Sequence, residues 1–216
     1  MYLSWAAFYE GGSDRAYFDS LVPRILEDII LSHGIRLVNI PAFPALYLGS
    51  NGREVEAVSR EICANKDAFY LIFVHADIGG RGIAATLGNR SVSYCNAAHQ
   101  LCQWDQQRCV TITPKHETEA WALADPVAVA GALGYSGKPQ ALGLPSTATE
   151  AESLNDPKAV LQMAANEVLG RRAKRGFGQL FTTIAQTQSI DMLRGSRSFS
   201  DFETRLKQGL RSLGCI

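Results

Sequence analysis

Acidic residues follow three apolar segments of the chain, at the positions where strands of a sheet would end. Glu10 follows the run at residues 3–9, Asp77 follows the run at 68–74, and Glu119 follows the run at 109–113. The carboxyl ends of parallel strands meet at one edge of a sheet, where ligands bind. Carboxylates held close together repel one another unless a cation neutralises them, and Mg²⁺ or Mn²⁺ suits oxygen ligands. The spacing therefore predicts a divalent-metal site that orients a phosphate and activates water.

Two further residues are candidate metal ligands. Asp14 lies four residues after Glu10, in the first turn of a predicted helix, so both a metal ligand and a favourable helix-terminal charge are open interpretations. His75 alternates with Asp77, so both side chains would point to the same side of the strand. A ligand, a proton carrier and a core histidine are all open for His75.

The third acid of the site is a choice between Glu117 and Glu119. On a helix these two residues lie about 200° apart, so only one of them can face a given site. Glu119 begins the apolar stretch at residues 120–124, whereas Glu117 fits an ordinary first-turn acid. We favour Glu119 as the catalytic and metal-binding residue.

A basic segment is the candidate nucleic-acid contact. Its cations are Arg171, Arg172, Lys174 and Arg175, which could follow the phosphates of a strand. A solvated helix end is the alternative. Residues 1–156 carry 11 basic and 17 acidic residues, whereas residues 157–216 carry 10 and 4. This asymmetry fits an acidic site beside a basic nucleic-acid path, and equally two faces that pair with each other or with a partner.

Strand and helix patterns alternate up to about residue 130, and helices dominate afterwards. The predicted strands are 3–9, 36–40, 68–74 and 109–113. The predicted helices are 13–32 with Ser13 as N-cap, 53–65, 84–107, 116–131 with a break at Pro126, 157–170, 177–187 and 199–213, and a long loop is predicted at 134–149. Strands that are apolar on both faces belong to parallel sheets covered by helices. We expect an α/β domain at 1–133, with a loop and helical elaboration at 134–216 packed on it.

Composition excludes several classes of protein. The chain has 216 residues, with 46% hydrophobic and 19% charged residues, as in ordinary globular proteins. No apolar run reaches the roughly 18 residues of a membrane helix, and residues 1–10 lack the features of a signal peptide. No Walker loop and no G-x-S-x-G motif occur. We expect a cytoplasmic protein without a membrane contact.

Five cysteines occur, at 63, 95, 102, 109 and 215, and no C-x-x-C pair is among them. Their spacings do not match a zinc ribbon or finger. We expect free thiols in a reducing compartment.

Three motifs together resemble the TOPRIM domain, and most closely the stand-alone TOPRIM-like proteins related to OLD-family nucleases. The first reads Glu-Gly-Gly-Ser-Asp at 10–14, the second Phe-Val-His-Ala-Asp at 73–77, and the third Pro-Lys-His-Glu-Thr-Glu-Ala-Trp-Ala-Leu-Ala-Asp at 114–125. The sequences at 156–158 and 198–202, which open two helices, are also similar to that group. The resemblance covers most of the chain and implies a TOPRIM/Rossmann-like, mainly parallel sheet of about four strands flanked by helices, with a helical C-terminal extension.

The resemblance also implies roles for individual residues. Glu10 would be a metal ligand and general acid/base, Asp14 would support a second ion, Asp77 would hold the main ion, and Glu119 would complete the cluster. TOPRIM domains usually have Asp-x-Asp where this chain has His75-x-Asp77. Imidazole prefers softer metals than Mg²⁺, such as Mn²⁺ or Zn²⁺, so the departure favours Mn²⁺ or a degenerate site.

Three functions are compatible with these features. The first is a Mg²⁺- or Mn²⁺-dependent nuclease on DNA or RNA, as an effector of anti-phage defence that often works with an ATPase partner protein. The second is a non-catalytic partner subunit of an ATPase complex, with a degenerate metal site. The third is a phosphohydrolase acting on a small phosphate ester. A homodimer is a further expectation.

Overall fold

The strands of the chain form one parallel sheet. The structure, a computed structural model, describes residues 1–75, 90–170 and 177–216. In these residues the sheet has four strands, β1 (Trp5–Tyr9), β2 (Leu46–Tyr47), β3 (Leu71–His75) and β4 (Cys109–Thr111), in the order β2-β1-β3-β4. All neighbouring pairs are parallel. This arrangement confirms the predicted α/β class, with about four parallel strands and a helical C-terminal part.

Helices make up most of the remaining described chain. They are α1 (Gly12–His33), α2 (Val55–Ala64), α3 (Arg90–Cys102), α4 (Thr118–Ala122), α5 (Pro126–Ala132), α6 (Ala148–Ser153), α7 (Pro157–Leu169), α8 (Gly178–Thr187), α9 (Ile190–Arg194) and α10 (Arg197–Ser212). Two short 3₁₀ helices lie at Gln106–Arg108 and Pro139–Leu142. None of the described helices combines the length and apolar character that crossing a bilayer requires.

The chain divides into two compact units, each built from separate segments. Unit one consists of Met1–Gly11, Val22–Thr113 and Phe202–Ile216, and it contains the sheet. Unit two consists of Gly12–Leu21 and Pro114–Asp201, and it is helical in the part that the structure describes.

The sheet of unit one is buried on both faces. Ala6 and Phe8 of β1, with Ile72 and Val74 of β3, belong to a core cluster that also includes residues of α2 and α3. The alternate residues point to the other face, where the ring centroid of Phe73 lies 6.4 Å from that of Phe202 in α10. Burial on two faces explains why these strands are apolar up to His75, the last residue of β3.

Helix α10 approaches the sheet closely at Gly209. A Cβ atom at this position would lie 2.7 Å from the carbonyl oxygen of Gln107 and 3.2 Å from Cδ2 of Leu71. Neither distance is compatible with an ordinary side chain, and the first involves backbone that cannot rotate away. The close approach therefore requires glycine, for lack of space rather than for conformational freedom.

Four of the five cysteines form disulfide bonds, so the predicted set of free thiols is wrong. Cys63 of α2 pairs with Cys102 of α3, and Cys95 of α3 pairs with Cys109 of β4. Cys215 is a buried free cysteine. Helices α2 and α3 pack together, which brings residues 39 positions apart within bonding distance. Disulfide bonds are typical of oxidising compartments, so the cysteines do not support the expectation of a reducing one.

Several predicted elements are displaced. Residues 36–40 are not a strand, although Asn39 forms an isolated bridge with Tyr2, and the strand beside β1 begins only after Pro44. Helix α1 begins at Gly12 with Gly11 as N-cap, so Ser13 is not the cap. The predicted loop at 134–149 contains a 3₁₀ helix and the beginning of α6. The predicted helix at 116–131 divides into α4 and α5 at Pro126, as expected, because Asp125 caps α5 and the proline is its first residue.

Unit two is organised around aromatic side chains. Phe18 of α1 and Phe199 of α10 both pack edge-on against Trp121 of α4. Tyr17 donates a hydrogen bond of 2.6 Å to Oε1 of Gln188, which is fully buried. These contacts hold the beginning of α1, which carries Asp14, beside α4, which carries Glu119.

A buried carboxylate, Glu152 of α6, caps the beginning of α10. Its oxygens accept hydrogen bonds from the Ser196 hydroxyl and from the backbone N–H groups of Arg197 and Ser198, at 2.7–2.9 Å. Burial raises the pKa of Glu152, but the hydrogen bonds from Ser198, Ser196 and Arg197 outweigh it and lower the pKa below its usual value. The cap therefore acts as a carboxylate at neutral pH.

Candidate functional site

Glu10 lies at the carboxyl end of β1, as the sequence predicts. Tyr9, the last residue of the strand, is opposite His75, the last residue of β3. The Glu10 N–H then donates a hydrogen bond of 3.2 Å to the His75 carbonyl oxygen. The side chain of Glu10 is 24% exposed, so its carboxylate lies at the surface of this sheet edge without being fully solvated.

Two arginines hold Glu10. Nη1 of Arg90, the first residue of α3, lies 2.9 Å from Oε1 and 3.0 Å from Oε2 of the Glu10 carboxylate. Nη1 of Arg53, which precedes α2, donates a hydrogen bond of 2.7 Å to the Glu10 carbonyl oxygen. A cation that binds the carboxylate would have to compete with Arg90 for it.

Tyr94 braces both arginines. Its hydroxyl donates a hydrogen bond of 2.8 Å to the carbonyl oxygen of Arg53, and it also shares a hydrogen bond with the Arg90 guanidinium. Burial raises the pKa of Tyr94, so the phenol stays neutral and keeps its proton to donate. Burial acts to lower the pKa of Arg90, but the charge and hydrogen bonds of Glu10 outweigh it and raise the pKa. The four residues form a ring of hydrogen bonds, which we call the arginine ring: Glu10, Arg53, Arg90 and Tyr94.

His75 is buried, with 3% of its surface exposed. Its Nδ1 lies 3.0 Å from the carbonyl oxygen of Ile112, which follows β4. A carbonyl oxygen accepts hydrogen bonds and cannot donate one, so this bond requires a proton on Nδ1. His75 therefore links the ends of β3 and β4, a structural task that is compatible with each of the roles left open for it.

Asp14 and Glu119 lie in unit two. Asp14 is buried, and its Oδ1 accepts a hydrogen bond of 2.7 Å from the Thr118 hydroxyl. Asp14 lies in the first turn of α1, where a negative charge is favourable, so both interpretations of this residue stay open. Its negative charge is close enough to contribute to the raised pKa of Glu119.

Glu119 has a strongly shifted acidity. Only 9% of the residue is exposed, and burial raises its pKa to about 7. The negative charges of Glu117 and Asp14 act in the same direction as burial, whereas a backbone hydrogen bond and the positive charge of Lys158 act against it. Glu119 is therefore suited to exchange a proton near neutral pH.

Glu117 lies near Glu119, contrary to the helical-wheel argument. Helix α4 begins at Thr118, and Glu117 has an extended backbone before it, so helical angles do not apply to this pair. A three-residue turn, closed by a hydrogen bond of 3.0 Å from Glu117 N–H to the Lys115 carbonyl oxygen, holds His116 at a φ of 68°. Such turns are rare and strained. The Oε2 atom of Glu117 is buried and has no hydrogen-bond partner among the described residues.

The remaining predicted site residues lie outside the described residues. These are Asp77 and the basic residues Arg171, Arg172, Lys174 and Arg175. Within residues 1–75, 90–170 and 177–216, no three metal-ligating side chains form a group that could hold a metal ion. The predicted roles of Glu10, Asp14, His75, Asp77 and Glu119 as metal ligands stay predictions.

Sequence reasoning missed the arginine ring. Arg90 lies 80 positions from Glu10 and Arg53 lies 43 positions from it, and neither belongs to a motif or a charge run. The available signal was the predicted fold, since the beginnings of α2 and α3 follow strands and so come close to the carboxyl edge of the sheet.

The chain matches no known family model, no curated protein and no solved structure.

Proposed function

We propose that the chain is a metal-dependent phosphodiesterase on nucleic acid, DNA or RNA, which uses Mg²⁺ or Mn²⁺. The observation that carries the proposal is the position of Glu10 at the carboxyl end of β1, held by two guanidinium groups. A carboxylate can accept a proton from an attacking water, and guanidinium groups stabilise the charge of a phosphate oxygen. The motif resemblance to TOPRIM-like nucleases supports the same reaction class.

The described residues alone do not make a divalent-metal site, since no group of three ligands converges. The metal enters the proposal through Asp77, which lies two residues beyond β3 in the sequence and outside the described residues. We therefore assign roles only to the groups of the chain itself. Glu10 is the proton acceptor and Arg90 positions it. Within unit two, Glu119 has a pKa of about 7, which suits proton exchange at neutral pH.

One observation favours the alternative of a non-catalytic partner subunit. The Glu10 carboxylate is ion-paired with Arg90 through both oxygens, which is the arrangement of a structural contact. In that case the acids would support an interface in an ATPase complex instead of a reaction. A role in anti-phage defence with an ATPase partner, and a homodimeric state, belong to the proposal in either form.

A cytoplasmic location is also part of the proposal, and it carries a condition. Thiol reductants keep most cytoplasmic cysteines reduced, so the two disulfide bonds would have to resist them or form only under oxidising stress. Alkylation of the protein in intact cells, followed by mass spectrometry, measures the number of free thiols. Alkylation of all four cysteines of the two pairs would place the protein in a reducing compartment. Two intact disulfide bonds would contradict the cytoplasmic location.

The test is a cleavage assay with defined variants. We would incubate the protein with labelled plasmid, single-stranded DNA and RNA, in Mg²⁺, Mn²⁺ or EDTA. The variants are Glu10→Gln and Asp77→Asn, and the matched control is Glu56→Gln, an exposed acid on α2. We expect cleavage that requires metal, is lost in both site variants and is unchanged in the control.

Other results separate the alternatives. Absence of cleavage with every metal and polymer would overturn the nuclease proposal and favour the partner subunit. Turnover of 4-nitrophenyl phosphate without cleavage of any polymer would favour the small-ester phosphohydrolase. Cleavage that survives in Glu10→Gln would show that Glu10 is not the proton acceptor.

A further inference from the structure

We propose that Arg53 and Arg90 form a binding subsite for one phosphate group at the carboxyl end of β1. The identification of this phosphate as part of a nucleic acid rests on the proposed function, whereas the subsite itself rests on the arginine ring. The four residues of the arginine ring come from three separate segments of unit one: the end of β1, the chain before α2 and the first two turns of α3.

The two guanidinium groups converge on one residue. Arg53 binds the carbonyl oxygen of Glu10 and Arg90 binds its carboxylate, so both cations contact the same residue although they lie 37 positions apart in the sequence. Like charges repel, and two arginines brought together need either carboxylates or an anionic ligand to balance them. Glu10 supplies a single negative charge at this place.

Both arginines retain N–H donors for a ligand. A guanidinium group has five N–H donors in a rigid fork. In the described part of the chain, Arg53 uses Nη1 on Glu10, while Arg90 uses Nη1 on Glu10 and shares a further hydrogen bond with Tyr94. The Arg90 side chain is 36% exposed and Arg53 is exposed, so a phosphate in solution can reach the remaining donors.

Tyr94 fixes the backbone at Arg53 and the guanidinium group of Arg90 before any ligand binds. Tyr94 is 1% exposed, and the centroid of its ring lies 4.8 Å from the ring centroid of Phe8 in β1. Its hydroxyl is therefore fixed in place. Free arginine side chains lose rotamer freedom on binding, and a side chain that is already fixed avoids that loss. Guanidinium groups held by Tyr94, for Arg90, and by the Glu10 carbonyl oxygen, for Arg53, suit the bidentate geometry of phosphate oxygens better than two free surface cations.

Glu54 allows a second test, in which the affinity for an anion should increase instead of decrease. This exposed acid lies next to Arg53 in the sequence and is close enough to Tyr94 to raise its pKa. Removal of the Glu54 charge should therefore tighten anion binding, whereas removal of either arginine should weaken it.

The first experiment measures binding of inorganic pyrophosphate by isothermal titration calorimetry, in EDTA, where no metal-dependent hydrolysis occurs. We expect Arg53→Ala and Arg90→Ala each to weaken binding by about fivefold to tenfold, as loss of a charge-assisted hydrogen bond does. Glu54→Gln should tighten binding about threefold by the loss of one exposed negative charge. The matched control is Arg60→Ala on α2, which removes an exposed arginine that is ion-paired with Glu56 in the same unit and should change nothing.

Arg90→Lys tests the fork geometry in a variant that keeps the charge. It should bind pyrophosphate more weakly than the parent protein and more tightly than Arg90→Ala, because an ammonium is a point charge without a planar fork. Far-UV circular dichroism checks that each variant folds. A parent protein that does not bind pyrophosphate at about 10 mM would overturn the subsite, as would equal weakening by Arg60→Ala. Equal affinity for malonate would overturn its assignment to phosphate.

A second experiment connects the subsite to a polymer. The affinity for a fluorescein-labelled single-stranded oligonucleotide in EDTA, measured by anisotropy over a salt series, should depend on salt with a slope smaller by about one in each arginine variant. An unchanged slope in both variants would overturn the assignment to a nucleic-acid phosphate. Because neither assay requires hydrolysis, failure of the nuclease proposal leaves pyrophosphate binding intact, and failure of the subsite leaves cleavage to be measured separately.

Discussion

Helix α3 is held by two disulfide bonds, and their removal should destabilise unit one by a predictable amount. Cys63 and Cys102 are 39 positions apart, and Cys95 and Cys109 are 14 apart. The loop-closure entropy of the unfolded chain gives about 4 kcal/mol for the longer loop and about 3 kcal/mol for the shorter one. The two loops share residues 95–102, so the combined effect should be smaller than the sum.

The change is large compared with the stability of a typical domain. Domains unfold with about 5–15 kcal/mol, so loss of the longer bond removes a substantial part of that free energy. The perturbation is the double variant Cys63→Ser/Cys102→Ser, which leaves neither partner of this bond as an unpaired thiol. With an m-value of about 2 kcal/mol/M, its urea midpoint should fall by about 2 M.

The assay is urea unfolding followed by circular dichroism, with and without a thiol reductant. Cys63 and Cys102 are partly exposed, whereas Cys95 and Cys109 are buried, so the reductant should reach the first pair sooner. In the double variant, the reductant should lower the midpoint only by the contribution of the second pair. Hydrogen exchange of peptides from α3 reports whether the loss is local to this helix.

Two results would refute this reasoning. Labelling of five thiols per chain in urea without reductant would show that the bonds are absent from the protein. A urea midpoint that does not change in the double variant or with reductant would show that the bonds do not constrain the unfolded chain.

Two further predictions concern buried acids of unit two. The pKa of Glu119 is about 7 in the folded chain and 4.5 for an ordinary glutamate side chain. Between these two pH values the folded state therefore binds a proton that the unfolded state releases. The free energy of unfolding should therefore fall by roughly 3 kcal/mol as the pH rises from 4.5 to 7, and urea titrations of Glu119→Gln should lack that decline; an unaltered decline would contradict the shift. Glu152→Ala removes the acceptor of three hydrogen bonds at the beginning of α10 and should cost about 3 kcal/mol at pH 7 by urea unfolding. Because the pKa of Glu152 is lowered, its contribution to the free energy of unfolding should be complete at pH values above the ordinary glutamate pKa and should decline as the pH falls below that value. A Glu152→Ala variant as stable as the parent protein at pH 7 would refute the cap.

Local patterns predicted the sheet and one helix break well. The segments at 3–9 and 109–113 contain β1 and β4, and the segment at 68–74 contains β3 except for its last residue, His75, because a strand buried on two faces is mainly apolar. The break between α4 and α5 was readable because Asp125-Pro126 is a capping residue followed by a proline. The position of Glu10 at a strand end follows from the same logic.

Features that depend on residues distant in the sequence could not be predicted from local sequence patterns. Disulfide connectivity is not encoded in cysteine spacing, and both pairs depend on how α3 packs against α2 and β4. The arginine ring joins residues up to 84 positions apart, and Glu10 is the one member that belongs to a motif. The relation between Glu117 and Glu119 depends on a turn at His116, a residue type with no strong signal for positive φ.

The close approach at Gly209 also affects how relatives of this chain should be compared. Any other residue would push a Cβ atom into the carbonyl oxygen of Gln107, so selection for a folded chain alone will keep glycine there. In an alignment, position 209 would thus be as invariant as a catalytic acid although it takes part in no chemistry. A search for functional residues by invariance should discount it and give weight to polar side chains such as Arg53, whose retention packing does not require.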